Sequence, residues 1–225
     1  MTISRQSLTG PTNSTVAATT FTDVAYDPGY GGTEKCRIIV ILIWNGMGGG
    51  AAIATINGGG ITYGGNPMHL AVGGLINNGF GTHSIWYIIN PPTGAQDIIY
   101  KSIGGNIGGV YRAIVALESD TDTGIRISRA DKVTTLNATT SSVLITTTTT
   151  AGFMLGFSKA SFNQTVTAGT AIGGDGTLFA VVDSNGEVVA GTSTGITVTT
   201  GTSGTIFQDV VVVSPVRRAG FLFFE

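Results

Sequence analysis

Cys36-Arg-Ile-Ile-Val-Ile-Leu-Ile-Trp44 is the stretch whose reading decides the fold. Its aliphatic run, residues 38–44, is the longest in the chain, and at seven residues it is far short of the roughly 20 that a membrane-spanning helix needs. It reads as an apolar strand. From it an uncharged region extends outward: residues 38–96 contain no Asp, Glu, Lys or Arg. Smaller gaps of the same kind cover residues 133–158 and 188–208. Only 11% of the 225 residues are charged, about half of what a soluble domain usually carries. Glycine (35) and threonine (34) together make up some three residues in ten, which favours strands and turns over helices.

Other apolar runs recur along the chain, separated by Gly, Pro and Asn clusters, and no dozen residues show a convincing 3.6-residue period. Strands are expected at residues 15–25, 36–44, 51–56, 83–90, 95–103, 110–118, 124–129, 142–149, 153–159, 177–183, 187–190, 196–200, 205–213 and 219–224. Val181-Val-Asp-Ser-Asn185-Gly186-Glu-Val-Val189 predicts a tight hairpin about Asn-Gly, and Asn90-Pro-Pro-Thr-Gly94 cannot continue a central strand. About fourteen strands suit one all-β domain over residues 1–225: an antiparallel β-sandwich of two sheets with little or no helix, preceded by an extended N-terminal segment, residues 1–14. Charge-poor strands on both faces would bury a sizeable core.

Function classes fall away in turn. A net charge of −2 and eleven scattered Lys and Arg give no basic face for nucleic acid. The N-terminus lacks the apolar core of a signal peptide, so synthesis and folding in a cytosol are expected, with no membrane partner. The single Cys36 forms no intrachain disulfide and reads as a small packed side chain. Gly191-Thr-Ser193-Thr-Gly195 matches a nucleophile elbow by letter, but no helix pattern follows and both histidines precede it. His69 and His83 lack a third metal ligand nearby and read as packed or surface residues. No enzyme is expected.

Two weak sites remain as candidates. Glu118-Ser-Asp120-Thr-Asp122-Thr-Gly124 sets three carboxylates at alternate positions where a strand leaves for a loop. Clustered carboxylates suit Ca²⁺, and a solvated acidic loop is the competing reading; no other cofactor is indicated. Tyr63, Trp86 and Tyr87 could form a stacking platform for a host-surface glycan, and core packing competes with it. In Ile85-Trp-Tyr-Ile88 the strand alternation sends one ring inward and one outward.

The order of elements also carries a resemblance. Thr55-Ile-Asn-Gly-Gly-Gly-Ile-Thr-Tyr-Gly-Gly65 with Pro67-Met-His-Leu70, then Ser84-Ile-Trp-Tyr-Ile-Ile-Asn-Pro-Pro-Thr-Gly94, then Thr148-Thr-Thr-Ala-Gly-Phe-Met-Leu-Gly-Phe157, resembles modules of bacteriophage structural proteins and bacterial surface proteins. The resemblance runs from Val16 to Lys159 and rests on turn and core residues, so no functional site transfers with it. It implies a jelly-roll type of sandwich. It also implies a virion structural protein, capsid-decorating or tail-associated, that contacts other copies of itself and neighbouring virion proteins. The alternative is a carbohydrate- or receptor-binding module of a fibre or surface adhesin. Under the first reading, the uncharged segments are expected to be interfaces with neighbours, where no ion need be desolvated.

Overall fold

A computed structural model describes residues 3–30, 36–45, 52–53, 60–76, 81–103, 107–120, 124–147, 152–174 and 176–216. The described residues form antiparallel strands and no helix. In chain order they are β1 (Ile3–Ala18), β2 (Thr20–Tyr26), β3 (Arg37–Asn45), β4 (Ala52–Ile53), β5 (Gly60–Tyr63), β6 (Asn66–Pro67), β7 (His69–Ile76) and β8 (Gly81–Ile89). The second half adds β9 (Gln96–Ile103), β10 (Ile107–Ser119), β11 (Ile125–Thr146), β12 (Phe153–Ala160), β13 (Gln164–Ala168), β14 (Thr170–Gly173), β15 (Phe179–Asp183) and β16 (Ser193–Pro215).

These strands make three sheets where the sequence led us to expect two. A middle sheet runs β1-β10-β3-β8-β7. A large sheet runs β11-β16-β12-β15-β14, with β13 also on β16. A small sheet runs β2-β9-β5-β6, with β4 on β9. β3 shows why a third layer is required. Ile38, Val40 and Leu42 pack with Phe153, Leu155, Phe157, Val211 and Val213 of the large sheet. Ile39, Ile41 and Ile43, pointing the other way, pack with Ile61, Tyr63, Ile98 and Tyr100 of the small sheet. An unbroken aliphatic strand has no polar face to give to water, so both its faces need cover. At ~2 kcal/mol per fully buried aliphatic side chain, residues 38–43 alone contribute on the order of 10 kcal/mol, an upper figure against an extended unfolded chain.

The large sheet solves the same problem by folding on itself. The runs expected at 124–129 and 142–149 are parts of one strand, β11, and those at 196–200 and 205–213 are parts of β16. The β11–β16 ribbon breaks register around residues 135–140, where Asn137 takes a φ of 52°. Beyond that bend its far end doubles back. Val143, Ile145, Ile196 and Val198 then cover Met154, Val182, Val210 and Val212 on the outer face of the same sheet. Gln208, fully buried, ties the fold-back: its amide nitrogen donates to the Ile196 carbonyl (3.3 Å) and its oxygen accepts from Ser141 (2.7 Å).

This layering corrects the interface expectation for two strands of the longest uncharged segment. Strands β3 and β8 within residues 38–96 are almost wholly buried inside the chain itself. Their lack of charge reflects sheets on both sides rather than contact with neighbouring copies.

Other local expectations shift too. Residues 3–14, expected as an extended segment, lie in β1 and pair with β10. Asn185 and Gly186 do take positive φ (48° and 140°), yet the strand after them reduces to one bridge, Val188 to Gly152. β15 pairs instead with β12 and β14. The Asn90–Gly94 turn ends β8 as expected, but β8 and β9 belong to different sheets, so it is a crossing rather than a hairpin. The strand expected at 219–224 lies outside the described residues.

Candidate functional site

The residues singled out from sequence do not converge. Glu118 is buried and its Oε1 accepts from Arg37 Nε at 3.4 Å, while Arg37 also lies over the Tyr30 ring. Asp120 is exposed at the strand end and Asp122 lies outside the described residues. Among the described residues no three His, Cys, Asp or Glu side chains are placed to hold a metal ion. Tyr63 and Trp86 are fully buried between the middle and small sheets. Tyr63 donates to the Gly94 carbonyl at 3.0 Å and Trp86 to Ser84 Oγ at 2.8 Å. Tyr87 points the opposite way, packs on the core facing the large sheet, and lies tilted against His69 at 5.5 Å. Tyr63 and Trp86 lie in one core and Tyr87 on the other, and the three form no platform. Ser193 opens β16 and hydrogen-bonds Thr146, with a strand rather than a helix after it. Cys36 packs half-buried at the head of β3.

Three other arrangements come from the tertiary fold. The first lies inside the stack, where the core between the middle and large sheets turns from aliphatic to aromatic and polar. His83 of β8 and Asp209 of β16 meet there, Nδ1 to Oδ1 at 2.7 Å, with both side chains fully buried. Burial pushes the Asp209 carboxyl above its usual range, and the His83 hydrogen bond pulls it partly back. Among the described residues His83 Nε2 and Asp209 Oδ2 have no hydrogen-bond partner. The Phe207 ring lies tilted against His83 at 5.2 Å, and its neighbour across the sheet is Lys159. The Lys159 ammonium lies 4.8 Å from the Trp44 ring centre and 5.0 Å from that of Tyr111, and donates to the Ala160 carbonyl at 2.7 Å. Burial pushes its pKa down to about 8.

The second is a solvent-open cleft where the chain leaves the middle sheet for the small one. β1 is an edge of the former and β2 an edge of the latter. Arg112 of β10 spans them: its Nε donates to Asp23 Oδ2 at 2.7 Å, one terminal nitrogen donates to Asp23 Oδ1, and the other to Ser14 Oγ at 3.0 Å. The Tyr100 hydroxyl donates to the same carboxylate at 2.8 Å, and the Phe21 ring lies under the guanidinium at 4.4 Å. Burial by itself would lower the Arg112 pKa, but Asp23 outweighs it and the net direction is up.

The third is the outer edge of the large sheet. β11 pairs only with β16, so among the described residues no strand occupies its other side over 22 residues. Arg126, Arg129, Asp131 and Lys132 guard the first half; residues 133–146 carry no charge, and Leu136 and Leu144 are 55% and 58% exposed.

No family model matches the chain, and no curated protein matches it. The sequence signals for the three arrangements were faint. His83 and Asp209 are 126 residues apart, and Asp23 and Arg112 are 89 apart. Only the clustering of charge at one end of β11 stood in plain view.

Proposed function

We propose that the chain is a bacteriophage virion structural protein, capsid-decorating or tail-associated, that works by self-association and by contact with neighbouring virion proteins. On this reading it is made in the host cytoplasm, resides in the virion, and catalyses nothing. The jelly-roll type of sandwich that the resemblance implies would correspond to the middle and large sheets, with the small sheet as an added layer. The carrying observation is the open β11 edge. An edge strand offers a row of N–H and C=O groups to any strand that can approach, and proteins that stay apart block such edges with charge or proline. Here charge guards the first half and the bend at residues 135–140 interrupts the edge, and the uncharged stretch beyond it, residues 141–146, suits strand addition by a second copy. The resemblance of residues 16–159 to phage structural modules supports the same reading.

Light scattering on the purified chain across micromolar concentrations tests it. A dimer or higher oligomer is expected. The pair Ser142→Lys and Leu144→Lys, both at exposed positions, should weaken association at least ~10-fold, because like charges then face each other across the joint. A wild-type chain that stays monomeric at ~100 μM would overturn the proposal.

A further inference from the structure

The cleft between β1, β2 and β10 lies apart from the β11 edge and plays no part in the association just proposed. Its volume is about 340 Å³, and it is lined by Thr9, Thr12, the segment 23–27, Arg112 and Ile114. Its walls are irregular in two places at once. β1 breaks register with β10 between Thr9 and Thr12, and β2 breaks register with β9 between Asp23 and Tyr26. Breaks of this kind re-aim side chains and are over-represented beside binding sites. In the second break Ala25 takes a φ of 52°, uncommon for a residue with a side chain, and its N–H is held by Asp97 Oδ1 at 2.9 Å. The backbone there is fixed in a costly shape rather than loose.

The polar groups at the wall are fixed as well, and they are not saturated. A carboxylate accepts about four hydrogen bonds, and Asp23 accepts three: two from Arg112 and one from Tyr100. A guanidinium has five N–H groups, and among the described residues Arg112 directs three to Asp23 and Ser14, with the Tyr100 hydroxyl beside them. Among the described residues one acceptor position and at least one donor therefore remain, on side chains held by a buried tyrosine and a phenylalanine ring under the guanidinium.

We propose that this cleft binds one neutral sugar ring or similar polyol. A vicinal diol is both donor and acceptor, so it can accept from a remaining Arg112 N–H and donate a hydrogen bond to Asp23. Val24 and Ile114 supply apolar surface for the ring's C–H face. Charge argues against other small ligands. An anion meets two carboxylates, Asp23 and Asp27, against one guanidinium, while a cation has only Asp27 left to pair with, because Arg112 already neutralises Asp23. The volume, near the lower end of the ~300–1,000 Å³ of small-molecule sites, fits one ring rather than a chain.

The test is titration of the ¹⁵N-labelled full chain with the methyl glycosides of glucose, galactose and mannose, each up to ~50 mM, with sodium phosphate and methylammonium chloride as ionic controls. At least one glycoside should bind saturably with a Kd on the order of 1–10 mM and shift amides of residues 9–12, 23–27 and 112. Val24 is 76% exposed, so Val24→Trp should leave folding intact, judged by an unchanged amide spectrum elsewhere, and weaken binding at least ~10-fold by filling the mouth. Thr12→Val, also at an exposed position, should weaken it several-fold. The proposal is overturned if no glycoside saturates, if phosphate or methylammonium binds as well, or if Val24→Trp changes nothing. None of these outcomes bears on whether the chain associates through β11.

Discussion

Lys159→Met should make the protein more stable at neutral pH. Lys159 projects from β12 toward the middle sheet, buried between Trp44 and Tyr111, and among the described residues no carboxylate pairs with it. Burial lowers its pKa from 10.5 to about 8. At ~1.4 kcal/mol per unit, the desolvation of the ammonium costs at most about 3 kcal/mol. Two ring contacts and the bond to the Ala160 carbonyl favour the charged form and offset ~1–2 kcal/mol of that, leaving about 1–2 kcal/mol. Methionine keeps the length and packing of the side chain without the charge.

The sign follows from linkage. Below pH 8 the folded state carries the whole cost, because Lys159 is protonated both folded and unfolded. As pH rises from 8 toward 10.5 the folded lysine gives up its proton first, so stability rises. Tyrosines then act in reverse: burial pushes Tyr63 up to about 12, so above pH 10 the unfolded chain ionises first and stability falls. Guanidinium denaturation from pH 6.5 to 11 should therefore give a wild-type curve that climbs from pH 8 and turns over near pH 10. Lys159→Met should start ~1–2 kcal/mol higher, lack the climb, and keep the fall, with an unchanged m-value. A variant less stable than wild type at pH 7, or a climb that survives the substitution, would refute the argument.

Two further outcomes test the inner layers. Asp209→Leu alone leaves His83 buried beside a lost partner and should cost ~3–5 kcal/mol in equilibrium unfolding. Adding His83→Leu removes the unpartnered Nε2 as well and should recover most of that loss. Gly156→Ala drives a methyl into the Asp209 carbonyl and to 2.7 Å from Ile196 Cδ1, where the ribbon folds back over β12. It should lower stability by ~1–3 kcal/mol or more, readable as a shift in denaturation midpoint.

The all-β class was legible because apolar runs of strand length lay between glycine, proline and asparagine breaks, and β3, β8, β9, β10 and β12 fall close to where those runs are. The long strands were not. β11 and β16 continue through polar, threonine- and glycine-rich residues that read as loops, because hydrogen bonding to each other, rather than local propensity, carries them. The candidate sites fared worse for the same kind of reason. Glu118 reads as an ion ligand beside Asp120 in sequence, yet its carboxylate meets Arg37, 81 residues away. Alternation in sequence sends one of Trp86 and Tyr87 inward and the other outward, yet with sheets on both sides of β8 the two pack on two different cores.

The sequence by itself determined that residues 38–44 must be covered on both faces, since a strand with no polar side pays heavily for any exposure to water. It could not say what covers it. Neighbouring copies and layers of the same chain satisfy the same composition equally well, because the hydrophobic effect is non-directional and blind to which chain supplies the apolar partner. Tertiary structure made that choice: the small sheet on one side and the large sheet on the other. It also moved the question of self-association to the outer edge of β11, on which no strand pairs among the described residues.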